Sequence, residues 1–186
     1  MRIVIINGPN LNLLGKREPG IYGTRSMEQV LVDIQRAYPE VYFEYRQSNH
    51  EGDLIDWMQE VGVSSLEDGQ SPTGRSQGEL QDGSETAYSL EEKEAMGNGQ
   101  WAIGKEVKGI VLNAGGYTHT SVALRDAVAC CEVPVVEVHI SDITKREEFR
   151  RISLLTDVCA HSIIGHGTDG YQEAVDWILN NSDSKK

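Results

Sequence analysis

The chain has 186 residues, 17 basic against 29 acidic side chains, and a formal charge of −12. That length suits one domain, and the acidic balance argues against a nucleic-acid surface, which needs clustered Lys and Arg to neutralise phosphates. No apolar run approaches the roughly 20 residues of a membrane-spanning helix, and the short run at 3–6 ends in the turn Asn7-Gly8-Pro9-Asn10, so it does not read as a signal peptide.

Apolar runs and helical patterns alternate along the chain. Residues 2–7 read as a strand stopped by a Gly-Pro turn. Residues 26–38 carry apolar side chains at 27, 30, 31 and 34 behind the capping box Ser26-x-x-Gln29, which predicts a helix. A second strand is expected at 41–47. A second capping box, Ser48-x-x-Glu51, opens a helix through Val61 with Leu54, Ile55 and Met58 on one face. Further along, strands are expected at 107–113, 133–139 and 159–165. Helices are expected at 121–131, at 142–154 at least in part, and at 170–180. Such alternation predicts an α/β protein with a flavodoxin-like, doubly wound, five-stranded parallel sheet.

One segment breaks the rhythm. Residues 64–106 hold seven glycines, nine acids and three bases, a net charge of −6. A structureless stretch of this size inside a compact domain reads as an insertion. Its composition predicts disorder, apart from a possible short helix at 90–96. The expectation is therefore one domain over 1–186, interrupted by a flexible acidic, Gly-rich insertion at 64–106 that is dispensable for chemistry. Three cysteines (130, 131 and 159) cannot close a disulfide framework and lack metal-ligand spacing. They read as small buried hydrophobes in a reducing cytoplasm.

Ligands of open α/β sheets bind beyond the carboxyl ends of the strands. Those ends carry Asn7–Asn10, 48–50, 113–116, 139–142 and 165–167, rich in amides and glycines and suited to a small polar ligand. His139 ends an apolar strand there, and Glu137 shares its face, so a carboxylate is placed to orient an imidazole as a general acid. The long loop 11–24 has the character of a lid. Within it Arg17 and Tyr22 form a pair in which a guanidinium could favour tyrosinate, an otherwise scarce base at neutral pH. Backbone N–H groups of Ile140 and Ser141 suit an anion. Arg146, Arg150 and Arg151 follow, either as anion ligands or as a solvated face with Glu147 and Glu148. His119 precedes a helix, where it is placed to meet a ligand hydroxyl.

The runs Asn7-Gly8-Pro9-Asn10-Leu11-Asn12-Leu13-Leu14-Gly15, Arg17-Glu18-Pro19-x-x-Tyr22-Gly23, Arg46-Gln47-Ser48-Asn49-His50-Glu51-Gly52, the stretch from Asn113 to Asp126, Glu137-Val138-His139-Ile140-Ser141 and Arg146-Glu147-Glu148-Phe149-Arg150 closely resemble type II 3-dehydroquinate dehydratase. The resemblance covers nearly the whole chain outside the insertion. It implies a lyase of the shikimate pathway that dehydrates 3-dehydroquinate to 3-dehydroshikimate through an enolate, with no cofactor and no metal. By the same resemblance Tyr22 is the base, Arg17 lowers its pKa, Asn10 helps stabilise the enolate, and His139 protonates the departing hydroxyl with support from Glu137. Asn113, His119, Asp126 and Arg150 bind substrate hydroxyls, while the backbone of Ile140 and Ser141 holds the carboxylate. The family pattern also implies a cytoplasmic homo-dodecamer, a tetramer of trimers, in which Asp126 completes a neighbour's site.

Elimination beside a ketone needs a base, enolate stabilisation and an acid on the leaving side, and Tyr22 and His139 supply distinct groups for it. A Schiff-base route is disfavoured, because six of the seven lysines lie outside the expected strands and Lys108 opens one from the charged stretch Lys105-Glu106, where its amine is not desolvated by apolar neighbours on both sides. The rival readings are a non-catalytic flavodoxin-like binding or regulatory paralogue, which has no need of a base–acid pair, and a flavoprotein. Pro9 counts against the latter because it lacks an N–H for phosphate. One departure from the family pattern is Asp142 in place of the usual Asn, expected to weaken carboxylate binding.

Overall fold

The computed structural model describes residues 1–16, 23–63 and 106–181. Arg17, Tyr22 and residues 64–105, nearly all of the expected insertion, lie outside the described residues. Within the described residues five strands, β1 (Arg2–Asn7), β2 (Tyr42–Gln47), β3 (Val107–Asn113), β4 (Val135–His139) and β5 (His161–Ile164), pair in parallel in the order β2-β1-β3-β4-β5. This is the flavodoxin-like order, and its chain direction switches between β1 and β3, where a crevice opens.

Among the described residues, four helices cover the sheet: α1 (Met27–Ala37), α2 (Glu51–Gly62), α3 (Val122–Ala129) and α4 (Gly170–Asn181). Strand residues alternate between two cores, because successive side chains point to opposite faces. Ile3, Ile5, Val111, Val136 and Val138 pack on one side with Leu31 and Ile34 of α1 and Val175 and Ile178 of α4. Val4, Ile6, Ile110 and Leu112 pack on the other with Leu54 and Met58 of α2 and Leu124 of α3. Burial on both faces is why the inner strands β1, β3 and β4 read as largely apolar runs. The three cysteines are free thiols, with Cys131 buried and Cys130 exposed. No described helix is long and apolar enough to cross a membrane.

Local chemistry sets the helix starts. Ser26 forms the expected capping box: its N–H donates to Gln29 Oε1 at 3.0 Å, and Gln29 N–H donates to Ser26 Oγ at 3.4 Å. The expected box at Ser48 does not form. His50 is the N-cap of α2, in an extended conformation, and Ser48 Oγ is engaged ahead of the helix, accepting from His50 N at 3.0 Å and donating to Asp53 Oδ2 at 2.6 Å. The expected helix at 142–154 is replaced by two short 3₁₀ turns, Ile143–Lys145 and Glu148–Arg150. Arg146, extended at φ −88° and ψ −176°, and Glu147, at φ −55° and ψ 148°, break any continuous helix there.

Candidate active site

A cavity of about 150 Å³ lies beyond the carboxyl ends of β1, β3 and β4, at the switch point of the sheet. The loops after β1 and β3 form its floor by packing back to back. Gly8 N–H donates to the Asn113 carbonyl at 2.7 Å, and a Cβ on Gly8 would lie 2.4 Å from the Ala114 carbonyl oxygen. Only glycine allows that approach. Asn10, on the cavity wall, has φ 67°, the single non-glycine residue with positive φ among the described residues. Asparagine tolerates this left-handed region better than most side chains. Its N–H donates to Asn49 Oδ1 at 2.9 Å, so the loop after β2 holds the one after β1.

Beneath the floor a buried polar chain ties three elements together. The Tyr171 hydroxyl of α4 donates to Asn7 Oδ1 at 2.8 Å and accepts from Asn113 Nδ2 at 3.0 Å. Full burial, first of all, raises the Tyr171 pKa, which keeps the phenol neutral and donating. Tyr171→Phe leaves two buried amide atoms unpaired, and each such group costs about 1–3 kcal/mol. The expected loss of stability is about 2 kcal/mol by urea unfolding. A loss under about 0.5 kcal/mol would mean that the amides find other partners.

His139, at the end of β4, and Glu137 lie on one face of the strand, as their spacing predicts. Glu137 is completely buried, an expensive place for a carboxylate. Four hydroxyls meet it: Thr118 Oγ1 and Ser153 Oγ, each at 2.6 Å from Oε1, and Thr156 Oγ1 at 2.7 Å and Ser162 Oγ at 3.0 Å from Oε2. His139 Nε2 lies 2.8 Å from Oε1. The imidazole N–H does not aim along a hydrogen-bond direction, so the contact is close but poorly aligned. Burial pushes the Glu137 carboxyl up, but His139 and the hydroxyls of Ser153 and Thr118 outweigh it and hold the pKa down at about 2. The carboxylate is therefore ionised throughout the working range of most enzymes.

His119 ends the 3₁₀ turn Gly115–His119, its ring centroid 6.5 Å from that of His139. Its Nδ1 is 2.8 Å from the Ile152 carbonyl, which can only accept, so Nδ1 carries the proton and Nε2 is an acceptor. Burial lowers the His119 pKa. The two neighbouring imidazoles are thus differentiated: His119 is a neutral acceptor, and His139 sits against an anion.

The far end of the cavity is cationic. Ile140 and Ser141 line it together with Arg146 and Arg150. Arg146 donates to Ser141 Oγ at 3.2 Å, and Arg150 Nε lies 3.5 Å from Glu147 Oε2. Two of the three arginines left open between ligand and solvated face are therefore at the site, while Arg151 is exposed and donates to the Arg146 carbonyl. Asp142 does not line the cavity. Its carboxylate caps the first 3₁₀ turn through Thr144 and lies 2.9 Å from Lys145 Nζ, which offsets its charge locally.

Of the residues singled out in the sequence, Asn10, Asn113, His119, His139, Ile140, Ser141 and Arg150 line the cavity, with Glu137 immediately behind His139. Asp126 is exposed on α3 and does not line it. Sequence reasoning missed Tyr171 and the four hydroxyls around Glu137. One of the four had a usable signal: Ser162 pairs in register with Glu137 across β4 and β5, and a buried carboxylate in an apolar strand demands a donor at such a position.

A doubly wound sheet whose switch-point cavity sets an imidazole–carboxylate pair against two guanidinium groups defines an enzyme for a small, anionic, hydroxylated substrate. The family model for dehydroquinase class II matches residues 1–69 and 62–179. A 3-dehydroquinate dehydratase of Agrobacterium fabrum is 38% identical over 180 residues, covering 96% of this chain and 95% of its own length. The corresponding protein of Halothermothrix orenii is also 38% identical, over 181 residues, with 96% and 94% covered. The crystal structure of a type II dehydroquinase from Butyrivibrio crossotus superposes with a TM-score of 0.70 at 36% identity, covering 96% of this chain and 97% of that one. The chain belongs to the class II dehydroquinase family. It is a carbon–oxygen lyase that dehydrates 3-dehydroquinate in the shikimate pathway.

Proposed function

We propose that elimination takes place in the switch-point cavity, with His139 as general acid and Tyr22 as base. The observation that carries this is the fixed contact between His139 and the ionised, fully buried Glu137 at the cavity wall. The Tyr22 phenolate, favoured by the Arg17 guanidinium, removes the proton from the carbon beside the ketone. Asn10 helps stabilise the enolate oxygen. His139, its Nε2 held by Glu137, gives a proton from Nδ1 to the departing hydroxyl, which leaves as water. Neutral His119 accepts a hydrogen bond from a substrate hydroxyl, and Asn113 and Arg150 bind others. The Ile140 and Ser141 backbone takes the carboxylate at the cationic end.

The reaction is redox-neutral, so a base, an acid and a polarising donor are sufficient chemistry without a cofactor. Among the described residues no lysine lines the cavity, in keeping with a route that forms no Schiff base. We read the chain as one domain interrupted at 64–106, in a cytoplasmic homo-dodecamer of four trimers. Asp126, exposed and outside its own cavity, then reaches a neighbour's site.

Purified protein given 3-dehydroquinate is expected to develop the ultraviolet absorbance of the conjugated enone product, and light scattering is expected to report a twelve-chain assembly. A protein that binds the substrate without any rise in absorbance would instead be the non-catalytic paralogue.

A further inference from the structure

The anion behind His139 is held by more than the reaction scheme uses. Its four hydroxyl donors come from three places: Thr118 from the 3₁₀ turn after β3, Ser153 and Thr156 from the segment between β4 and β5, and Ser162 from β5 itself. A carboxylate offers about four lone-pair sites, and four hydroxyls fill them. Ser153 cannot turn its proton elsewhere at no cost, because its oxygen already accepts from Leu155 N at 3.0 Å and Thr156 N at 3.2 Å. Thr118 Oγ1 lies 3.1 Å from Ser153 Oγ, yet each hydroxyl has one proton, and with both given to Glu137 none lies between them. A proton arriving on Glu137 would face donors on every side. Crowding on Oε1 also accounts for the oblique approach of His139 Nε2 despite its 2.8 Å distance.

We propose that Thr118, Ser153, Thr156 and Ser162 are positioning residues that keep Glu137 a permanent anion, so that the proton of the pair resides on His139 and is surrendered to the leaving hydroxyl rather than shared with the carboxylate. The step moves one proton from imidazolium to the departing oxygen, releasing water, and the neutral imidazole is later reprotonated from solvent. Glu137 takes up no proton at any stage. The proposal rests on the reading of His139 as the acid. Among the described residues, the charged and titratable groups around the pair are His119, whose ring faces His139, and Arg146 and Arg150 across the cavity. None of them contacts the Glu137 carboxylate, so its state is governed by the hydroxyls and His139.

Removing a donor makes the carboxylate a stronger base, and the pair then holds its proton more tightly. The test is nuclear magnetic resonance titration of histidine-labelled enzyme, with kcat against pH, for the parent, Ser162→Ala, Thr156→Val and Thr156→Ser. In Ser162→Ala and Thr156→Val the His139 midpoint is expected to rise by roughly half to one pH unit. The alkaline limb of kcat moves up with it while the plateau falls several-fold, and Thr156→Ser restores both. General damage to the fold would lower the plateau without moving the limb upward. Folded variants whose His139 titration coincides with the parent's overturn the proposal. Should Thr156→Val fail to fold, Ser162→Ala decides alone. A shifted His139 titration with an unmoved alkaline limb upholds the hydroxyl ring and instead removes His139 from the role of acid.

Discussion

His139→Ala is expected to lower kcat by about 10²- to 10⁴-fold, the usual contribution of a positioned general acid, and to erase the alkaline limb of the pH–rate profile. Tyr22→Phe is expected to cause a loss of similar size and to erase the acid limb instead. The signs follow from the roles. A base works only when deprotonated, so its titration cuts activity at low pH; an acid works only when protonated, so its titration cuts activity at high pH. KM should change much less than kcat in His139→Ala, because Ile140, Ser141, Arg150 and His119 still line the cavity. Thermal melts alongside the kinetics separate chemistry from folding, since the smaller side chain leaves Glu137 with only its hydroxyl partners. Retention of the alkaline limb in His139→Ala would place the proton donor elsewhere in the cavity. Retention of the acid limb in Tyr22→Phe would do the same for the base.

Much of the fold was legible because it obeys local rules. β1 ends at Asn7 because Pro9 follows, and α1 begins at Met27 because Ser26 and Gln29 satisfy each other's backbone N–H groups. Where two local rules compete, the sequence misleads. Ser48-x-x-Glu51 has the pattern of a capping box, but Asp53 and the His50 N–H claim the serine hydroxyl first. Residues 142–154 carry charges at helical spacing, yet Arg146 is extended, which turns its side chain toward Ser141 and the cavity wall. At the site, His139 and Glu137 were visible because two residues on one strand face need only alternation. The hydroxyl ring was not, because Thr118, Ser153, Thr156 and Ser162 become neighbours only once the crossovers from β3 to β4 and from β4 to β5 have been made, and a lone Ser or Thr is ordinary in any sequence. Tyr171 was hidden for the same reason, lying 164 positions from the Asn7 it bonds.

The buried carboxylate should also govern stability in acid. Glu137 in the folded chain has its pKa lowered from 4.5 to about 2, with His139 and the hydroxyl donors outweighing the effect of burial. Between those values the unfolded chain binds the proton and the folded chain does not, so stability rises with pH through this window. The contribution is complete above the unfolded pKa and is lost as pH falls through the folded one. A depression of this size corresponds to about 3 kcal/mol at neutral pH, of which about 2 kcal/mol is gone by pH 3. Other carboxylates titrate in the same range, so the informative quantity is the difference in urea-unfolding free energy between the parent and Glu137→Gln. That gap should narrow by about 2 kcal/mol from pH 7 to pH 3, because only the parent can lose the ionised form. A gap that stays constant with pH would mean that Glu137 is protonated in the folded enzyme, which would in turn remove the anion on which the orientation of His139 depends.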